Sequence, residues 1–86
     1  KKLLIPMSTL KKYNKAFVDS FSISDEKNLN NLKYNEIDEW DSIGHMTLIA
    51  ALEESFKISF ETDDIVDFSS YSKGKEILEK YKVSID

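Results

Sequence analysis

Three residues with the side chains of a hydrolytic triad lie close together near the middle of the chain. Asp41 and Ser42 are adjacent and His45 follows three positions later, so an acid, a nucleophile and a base are all present. However, the sequence has neither the G-x-S-x-G elbow nor a glycine-rich oxyanion loop. His45 also lies on an apolar helical stripe. We therefore predict a histidine satisfied in the core or at its boundary, and no catalytic residue.

Residues that could bind a metal are few. The chain has no cysteine and one histidine, which excludes a thiolate site and disfavours a histidine site. Asp63, Asp64 and Asp67 are close in sequence, but they lack the spacing and the distal glutamate of a calcium loop. We interpret them as acids that complement the dipole of a short helix, and we predict no metal site.

Ser42 has a second possible role, as a point of attachment. A serine in the first turn of an amphipathic helix presents its hydroxyl at an exposed corner, near unpaired N–H groups and the positive end of the helix dipole. A phosphodiester attached there would be stabilised by the helix N-terminus. Helix capping by Asp41 or Ser42 explains the same residues, and the local sequence leaves both interpretations open.

The elements that must position these residues are helices. The chain has 86 residues, with two glycines and one proline, Pro6, so tight hairpins are disfavoured. We expect residues 1–86 to form a single all-α domain, a small four-helix bundle with three main antiparallel helices, one short helix and a long first connection. Helix starts are predicted at Ser8 or Thr9, Asp41-Ser42, Thr62 and Ser70. The inward positions are Leu10, Tyr13, Phe17 and Phe21 in the first helix and Tyr71, Gly74, Ile77, Leu78 and Tyr81 in the last.

The helix that begins at Asp41-Ser42 is predicted to have two apolar faces. The larger stripe faces the core and comprises His45, Leu48, Ile49, Leu52 and Phe56. A smaller stripe of Ile43, Met46 and Ala50 lies on a neighbouring face and can be offered to a partner. Gly74, in the last helix, is expected to cost up to about 1 kcal/mol relative to alanine.

The connection over residues 22–41 is too long to be structureless in a compact domain. We expect its apolar residues, Ile23, Leu29, Leu32 and Ile37, to anchor it to the bundle, with one helical turn near Ser24–Lys27. Trp40, directly before the second helix, is interpreted as a packing residue.

Charge is distributed unevenly along the chain. Residues 1–15 carry five lysines, including Lys1 and Lys2, and no acid, whereas residues 16–70 carry thirteen acids and three lysines. This acidic middle disfavours nucleic acid and anionic lipid; it either attracts basic protein partners or is simply a solvated surface, and the charge alone leaves both interpretations open. No apolar run is long enough to cross a bilayer, and residues 1–6 are too short for a secretory signal. We expect a soluble, cytoplasmic monomer.

The residues from 40 to 65 together resemble the acyl carrier protein family. The resemblance rests on W-D-S-I-G-H-M at 40–46, on L-I-A-A-L-E-E-S-F-K-I at 48–58, and on Phe60 and D-D-I at 63–65. It extends to the first helix, the long connection and the last helix. It implies a four-helix bundle carrying a 4′-phosphopantetheine arm on the serine of D-S-[LI], here Ser42. A phosphopantetheinyl transferase supplies that arm from coenzyme A with Mg²⁺, and the arm's thiol carries acyl or aminoacyl groups as thioesters.

The resemblance carries over residue by residue. Asp41 and Ser42 match the attachment motif, and the positions that match partner-facing or cargo-facing residues are Ile43, Met46, Glu53, Glu54 and Ile65. The implied partners are the transferase, an acyl-activating ligase and acyl-transferring or synthase enzymes, as in bacterial fatty-acid or polyketide biosynthesis.

Gly44 and Thr47 depart from the family pattern. They stand where carriers of the general fatty-acid synthase commonly have acids, and the G-G-x-S pattern of peptidyl carriers is absent. The sequence is more similar to a stand-alone carrier of a specialised pathway. The alternative is a carrier-like interaction module that binds a basic partner without being modified.

Overall fold

Over the residues that the structure describes, the fold is an all-α bundle of four α-helices, as the sequence predicts. A computed structural model describes residues 8–24 and 26–85, so Lys1, Lys2 and Pro6 lie outside the described part of the chain. The elements are α1 (Thr9–Phe21), a 3₁₀-helix (Glu26–Asn31), α2 (Ser42–Phe56), α3 (Thr62–Asp67) and α4 (Tyr71–Lys80). Over the described ranges, no helix is long and apolar enough to span a membrane.

Side-chain caps fix where three of the helices begin. The Ser8 hydroxyl accepts from the N–H of Lys11, the Asp41 carboxylate from that of Gly44, and the Ser70 hydroxyl from that of Lys73. The third helix differs from the prediction, because its cap position is Glu61 rather than Thr62 and no side chain bonds there. Asp63 and Asp64 in its first turn still complement the helix dipole.

Aromatic rings fill the centre of the bundle. The ring of Phe17 on α1 is edge-on to those of Tyr13, Phe21 and Trp40, with centroids 5.0–5.9 Å apart. It also lies against the ring of Phe68, directly after α3, and that of Tyr71, the first residue of α4. All six residues are buried, and together with Leu48, Ile49, Leu52 and Leu78 they hold the four helices around one core. The predicted packing role of Trp40 is confirmed.

The long connection is structured and pinned to the bundle. Leu29 and Leu32 are buried, and Ile23 and Ile37 pack against the core, which confirms their predicted role as anchors. An isolated antiparallel bridge joins Lys33 to Ser70. The helical turn was predicted near residues 24–27, but the structure has a 3₁₀-helix over Glu26–Asn31, so that prediction was wrong in its bounds.

Gly74 lies at the closest approach between α4 and the aromatic core. A Cβ built at this position would overlap the Tyr13 hydroxyl and the ring of Phe68. The Tyr13 hydroxyl is itself held there, because it donates a hydrogen bond to the carbonyl oxygen of Tyr71. The expected propensity cost of glycine at this position is therefore outweighed by packing, because alanine would not fit.

We predict that Gly74→Ala destabilises the protein although alanine is the better helix former. The added methyl must push Tyr13 or Phe68 off its position, so the free energy of unfolding should fall by about 1–3 kcal/mol in denaturant titrations. Ser72→Ala, at an exposed position of the same helix, is the matched control and should stay within about 0.5 kcal/mol of wild type. Equal stability of Gly74→Ala and wild type would contradict this packing.

Candidate functional site

Ser42 is the first residue of α2 and is exposed, which confirms the predicted position of its side chain at the start of this helix. The cap is Asp41, whose carboxylate oxygen accepts from the N–H of Gly44 at 2.8 Å. Asp41 therefore takes the capping role that the sequence left open between the two residues. The Ser42 Oγ makes one hydrogen bond that the structure records, to the hydroxyl of Tyr34 at 3.3 Å.

A mostly apolar cavity of about 350 Å³ opens beside Ser42. This volume is at the small end of the range for small-molecule sites. The cavity lies between α2, α3 and the connections on either side, and its lining residues are Tyr34, Ser42, His45, Met46, Ile65, Val66, Phe68 and Ser69. The serine hydroxyl is thus placed at the edge of a space that can accept an apolar group.

Large apolar side chains are exposed around the same opening. Ile43 is 79% exposed, Met46 52% and Val66 74%. On the opposite face of α2, Leu48, Ile49 and Leu52 are buried. The prediction that this helix has one core-facing and one outward apolar face is confirmed.

His45 is satisfied at the core boundary, as predicted. Its Nδ1 accepts from the Nε1–H of Trp40 at 2.9 Å, and its Nε2 lies 2.8 Å from the carbonyl oxygen of Ile65. Because the indole can only donate and the carbonyl can only accept, the ring carries its proton on Nε2. Neither nitrogen is left to take a proton from Ser42, so these two residues do not form a nucleophile and base in this arrangement.

Gly44 is required by the path of the chain into α2. A Cβ there would overlap the carbonyl oxygen of Glu39 and would come within 3.3 Å of the Phe21 ring. Any larger residue, including an acid, would force this connection away from the helix. The departure from the acyl carrier pattern at this position therefore has a steric cause within the chain.

Asp64 ties α3 to α4. In addition to the predicted role of complementing the helix dipole, its side chain is buried and accepts hydrogen bonds from the Lys80 ammonium and the Tyr81 hydroxyl. The bond from Lys80, and to a smaller extent that from Tyr81, lowers the pKa of Asp64 below its ordinary value of 3.8. The Tyr81 oxygen also accepts from the N–H of Glu61 at 2.9 Å. Tyr81 therefore holds both Glu61, directly before α3, and Asp64, in its first turn.

The remaining predicted site residues have different surroundings. Ile65 is half-buried in the cavity wall, and Glu54 is exposed on α2. Glu53 is half-buried, and its Oε2 accepts from the N–H of Phe60 at 2.8 Å, which holds the connection that leads to α3. Glu53 therefore makes a structural hydrogen bond within the chain. This bond is separate from the contact with partner enzymes that the resemblance predicts for it.

Sequence reasoning did not identify Tyr34, Val66, Phe68 or Ser69 as site residues. Tyr34 lies in an irregular connection, where no periodicity reports which way a side chain points. Val66 belongs to a helix of only six residues, too short for a clear stripe. The aspartates predicted not to bind metal are not part of any cluster of three or more potential ligands among the described residues.

Comparisons with protein-family models, curated proteins and solved structures find no match to this chain. The assignment of a function therefore rests on the residues and geometry of the site.

We predict that Asp64 contributes stability which disappears in acid. A carboxyl whose pKa is lower in the folded than in the unfolded chain stabilises fully above the unfolded value, 3.8, and loses this contribution as the pH falls through its lower folded value. Denaturant titrations at neutral pH should show Asp64→Asn less stable than wild type. The same titrations in acid should show this difference in stability shrinking as the pH falls below 3.8. Asp63→Asn, an exposed neighbour on α3, is the control. A difference that stayed constant with pH would contradict the assignment.

The two faces of α2 should respond differently to truncation. Leu52 is fully buried, so Leu52→Ala should lower the free energy of unfolding by about 2–5 kcal/mol. Met46 is half-exposed, so Met46→Ala should change it by less than about 1 kcal/mol. Thermal and denaturant unfolding of both variants measure this contrast. Equal losses would show that the outward face is part of the core.

Proposed function

We propose that this protein is an acyl carrier protein whose working form bears a 4′-phosphopantetheine arm on Ser42. The observation that carries the proposal is the position of Ser42: an exposed hydroxyl at the first residue of α2, at the mouth of an apolar cavity. The sequence resemblance from Trp40 to Ile65 supports the same function independently of the cavity.

The residues present fit such an arm. Ser42 is the point of covalent attachment, and its Oγ gains a bond to phosphorus while the diphosphate bond of coenzyme A breaks. Adenosine 3′,5′-bisphosphate leaves and the serine proton is released. The bound arm supplies a terminal thiol, which this cysteine-free chain lacks. Met46, Ile65 and Phe68 give the cavity an apolar wall against which an acyl group can be shielded from water.

Partner enzymes would dock on the surface around Ser42. Ile43 and Met46 offer exposed apolar side chains beside the attachment point. Glu54 and the acids before and after α2 give the area a negative potential, which favours basic partners and fast, reversible association. The proposed partners are a phosphopantetheinyl transferase, an acyl-activating ligase and acyl-transferring or synthase enzymes.

The acids of this surface would come from the connections and α3 rather than from the first half of α2. The segment 42–52 of α2 has no acid, and Gly44 cannot be replaced by one for the steric reason given above. Exposed carboxylates instead lie before and beyond the helix, at Asp38, Glu39, Asp41, Asp63 and Asp67. Because position 44 excludes an acid for steric reasons, it is Thr47 that supports service in a specialised pathway, with partners that recognise a different charge pattern from that of the general fatty-acid carriers.

Intact mass measures the proposed modification directly. Incubation with coenzyme A, Mg²⁺ and a broad-specificity phosphopantetheinyl transferase should add about 340 Da to the wild-type chain. Ser42→Ala should gain nothing, because the accepting hydroxyl is gone. Ser69→Ala removes an exposed hydroxyl from the same cavity and should still be modified. An unchanged wild-type mass with several transferases would contradict the proposal.

The alternative function uses the same surface without modification. Exposed Ile43, Met46 and Val66 beside the acidic connections could bind a basic, apolar partner directly. Ser42→Ala distinguishes the two functions, because a pure interaction module would keep full activity in its host, whereas a carrier would lose it.

A further inference from the structure

Tyr34 places its hydroxyl directly beside the attachment serine. The two hydroxyl oxygens are 3.3 Å apart. The backbone of Tyr34 is held in place, because its N–H donates to the carbonyl oxygen of Ser69 at 2.9 Å. Its ring lies edge-on to those of Trp40 and His45. Tyr34 is therefore held by its own packing and not by its bond to Ser42 alone.

The surroundings of Ser42 are unfavourable for a phosphate in one respect. Asp38, Glu39 and Asp41 are exposed just before the serine. A phosphodiester on Ser42 would add a further negative charge at this corner, and each carboxylate would repel it. Neutral N–H or O–H groups that donate to the phosphate would offset its repulsion by these carboxylates.

Several donors close to Ser42 in sequence are already used within the chain. The N–H of Gly44 donates to the Asp41 carboxylate at 2.8 Å, and the N–H of His45 donates to the Asp41 carbonyl at 2.7 Å. The Thr47 hydroxyl donates to the carbonyl oxygen of Ile43 at 3.1 Å. The Tyr34 hydroxyl differs from these, since its recorded partner is the serine oxygen that the arm would modify.

We infer that Tyr34 is a binding residue for the phosphodiester of the arm, with its hydroxyl as the donor. The inference rests on the proposed function. In the unmodified chain either hydroxyl can donate to the other. Once Ser42 is esterified its oxygen has no proton, so Tyr34 is the only donor of the pair and can donate to the ester oxygen or to a phosphate oxygen. Tyr34 also lines the cavity beside Ser42, so the same residue contacts both the attachment corner and the space proposed for the cargo.

The phosphorus resonance of the modified protein reports on this bond. Wild type and Tyr34→Phe, both carrying the arm, are compared by ³¹P NMR, and the phosphodiester resonance should move by more than its linewidth in the variant. Tyr71→Phe is the matched control, because it also removes one tyrosine hydroxyl, which bonds to Asn14 away from the cavity. Its phosphorus resonance should coincide with that of wild type.

The tyrosine side chains provide a reciprocal measurement. In ¹³C-tyrosine-labelled wild type, attachment of the arm should shift the Cζ resonance of Tyr34. The Cζ resonance of Tyr81, whose hydroxyl is held by Asp64, should stay in place. Folding of each variant is verified by its circular dichroism melting curve.

The outcomes separate this inference from the proposed function. A wild-type chain that gains no mass overturns both. A chain that is modified, but whose phosphorus resonance is the same in wild type and Tyr34→Phe, overturns the role of Tyr34 and leaves the carrier function intact. The same holds if the Tyr34 Cζ resonance does not respond to the arm. Movement of both resonances, with the controls unmoved, supports the bond.

Discussion

The two bonds of the His45 ring join three parts of the chain, namely the long connection, α2 and α3. The indole of Trp40 belongs to the long connection, the imidazole to α2, and the carbonyl of Ile65 to α3. Since the indole can only donate, it sets the imidazole tautomer, and that tautomer in turn allows the bond to α3. The cavity wall formed by Ile65 therefore depends on a tryptophan 25 positions earlier in the chain. An apolar residue at position 45 could fill the space but could not make either bond.

Close backbone approaches set the shape of the bundle as strongly as its apolar residues do. Gly44 lets the connection pass against the start of α2, and Gly74 lets α4 approach the ring of Phe68. These are the two glycines of the chain, and both lie inside helices, where glycine is unfavourable on local grounds. In both places the local cost is offset by packing that a Cβ would prevent. The absence of an acid at position 44 then follows from the fold and does not by itself indicate a particular partner.

Much of the fold could be predicted because the spacing of apolar residues in a periodic segment indicates which of its faces is buried. Leu48, Ile49 and Leu52 are buried at the spacing of a helix face, while Ile43 and Met46 are exposed on another face. The third helix was harder to predict, because six residues give little periodicity and no side chain caps it. The burial of Asp64 was not predicted because the residues that bind it, Lys80 and Tyr81, lie at the end of α4, far along the chain. Glu53 was placed among partner-facing acids by the resemblance, and its bond from the N–H of Phe60 could not be predicted from helical spacing because Phe60 lies beyond the helix end.

Four helices, the core face of α2 and an exposed serine at the start of that helix could all be predicted from the residues alone, because each depends on spacing and caps within a few turns. The place of the serine at the mouth of an apolar cavity, facing a tyrosine hydroxyl from the long connection, could not be predicted in this way. An irregular segment has no repeat to show where its side chains point. Its path is set instead by contacts with remote residues, such as the bond from Tyr34 to Ser69 and the bridge from Lys33 to Ser70.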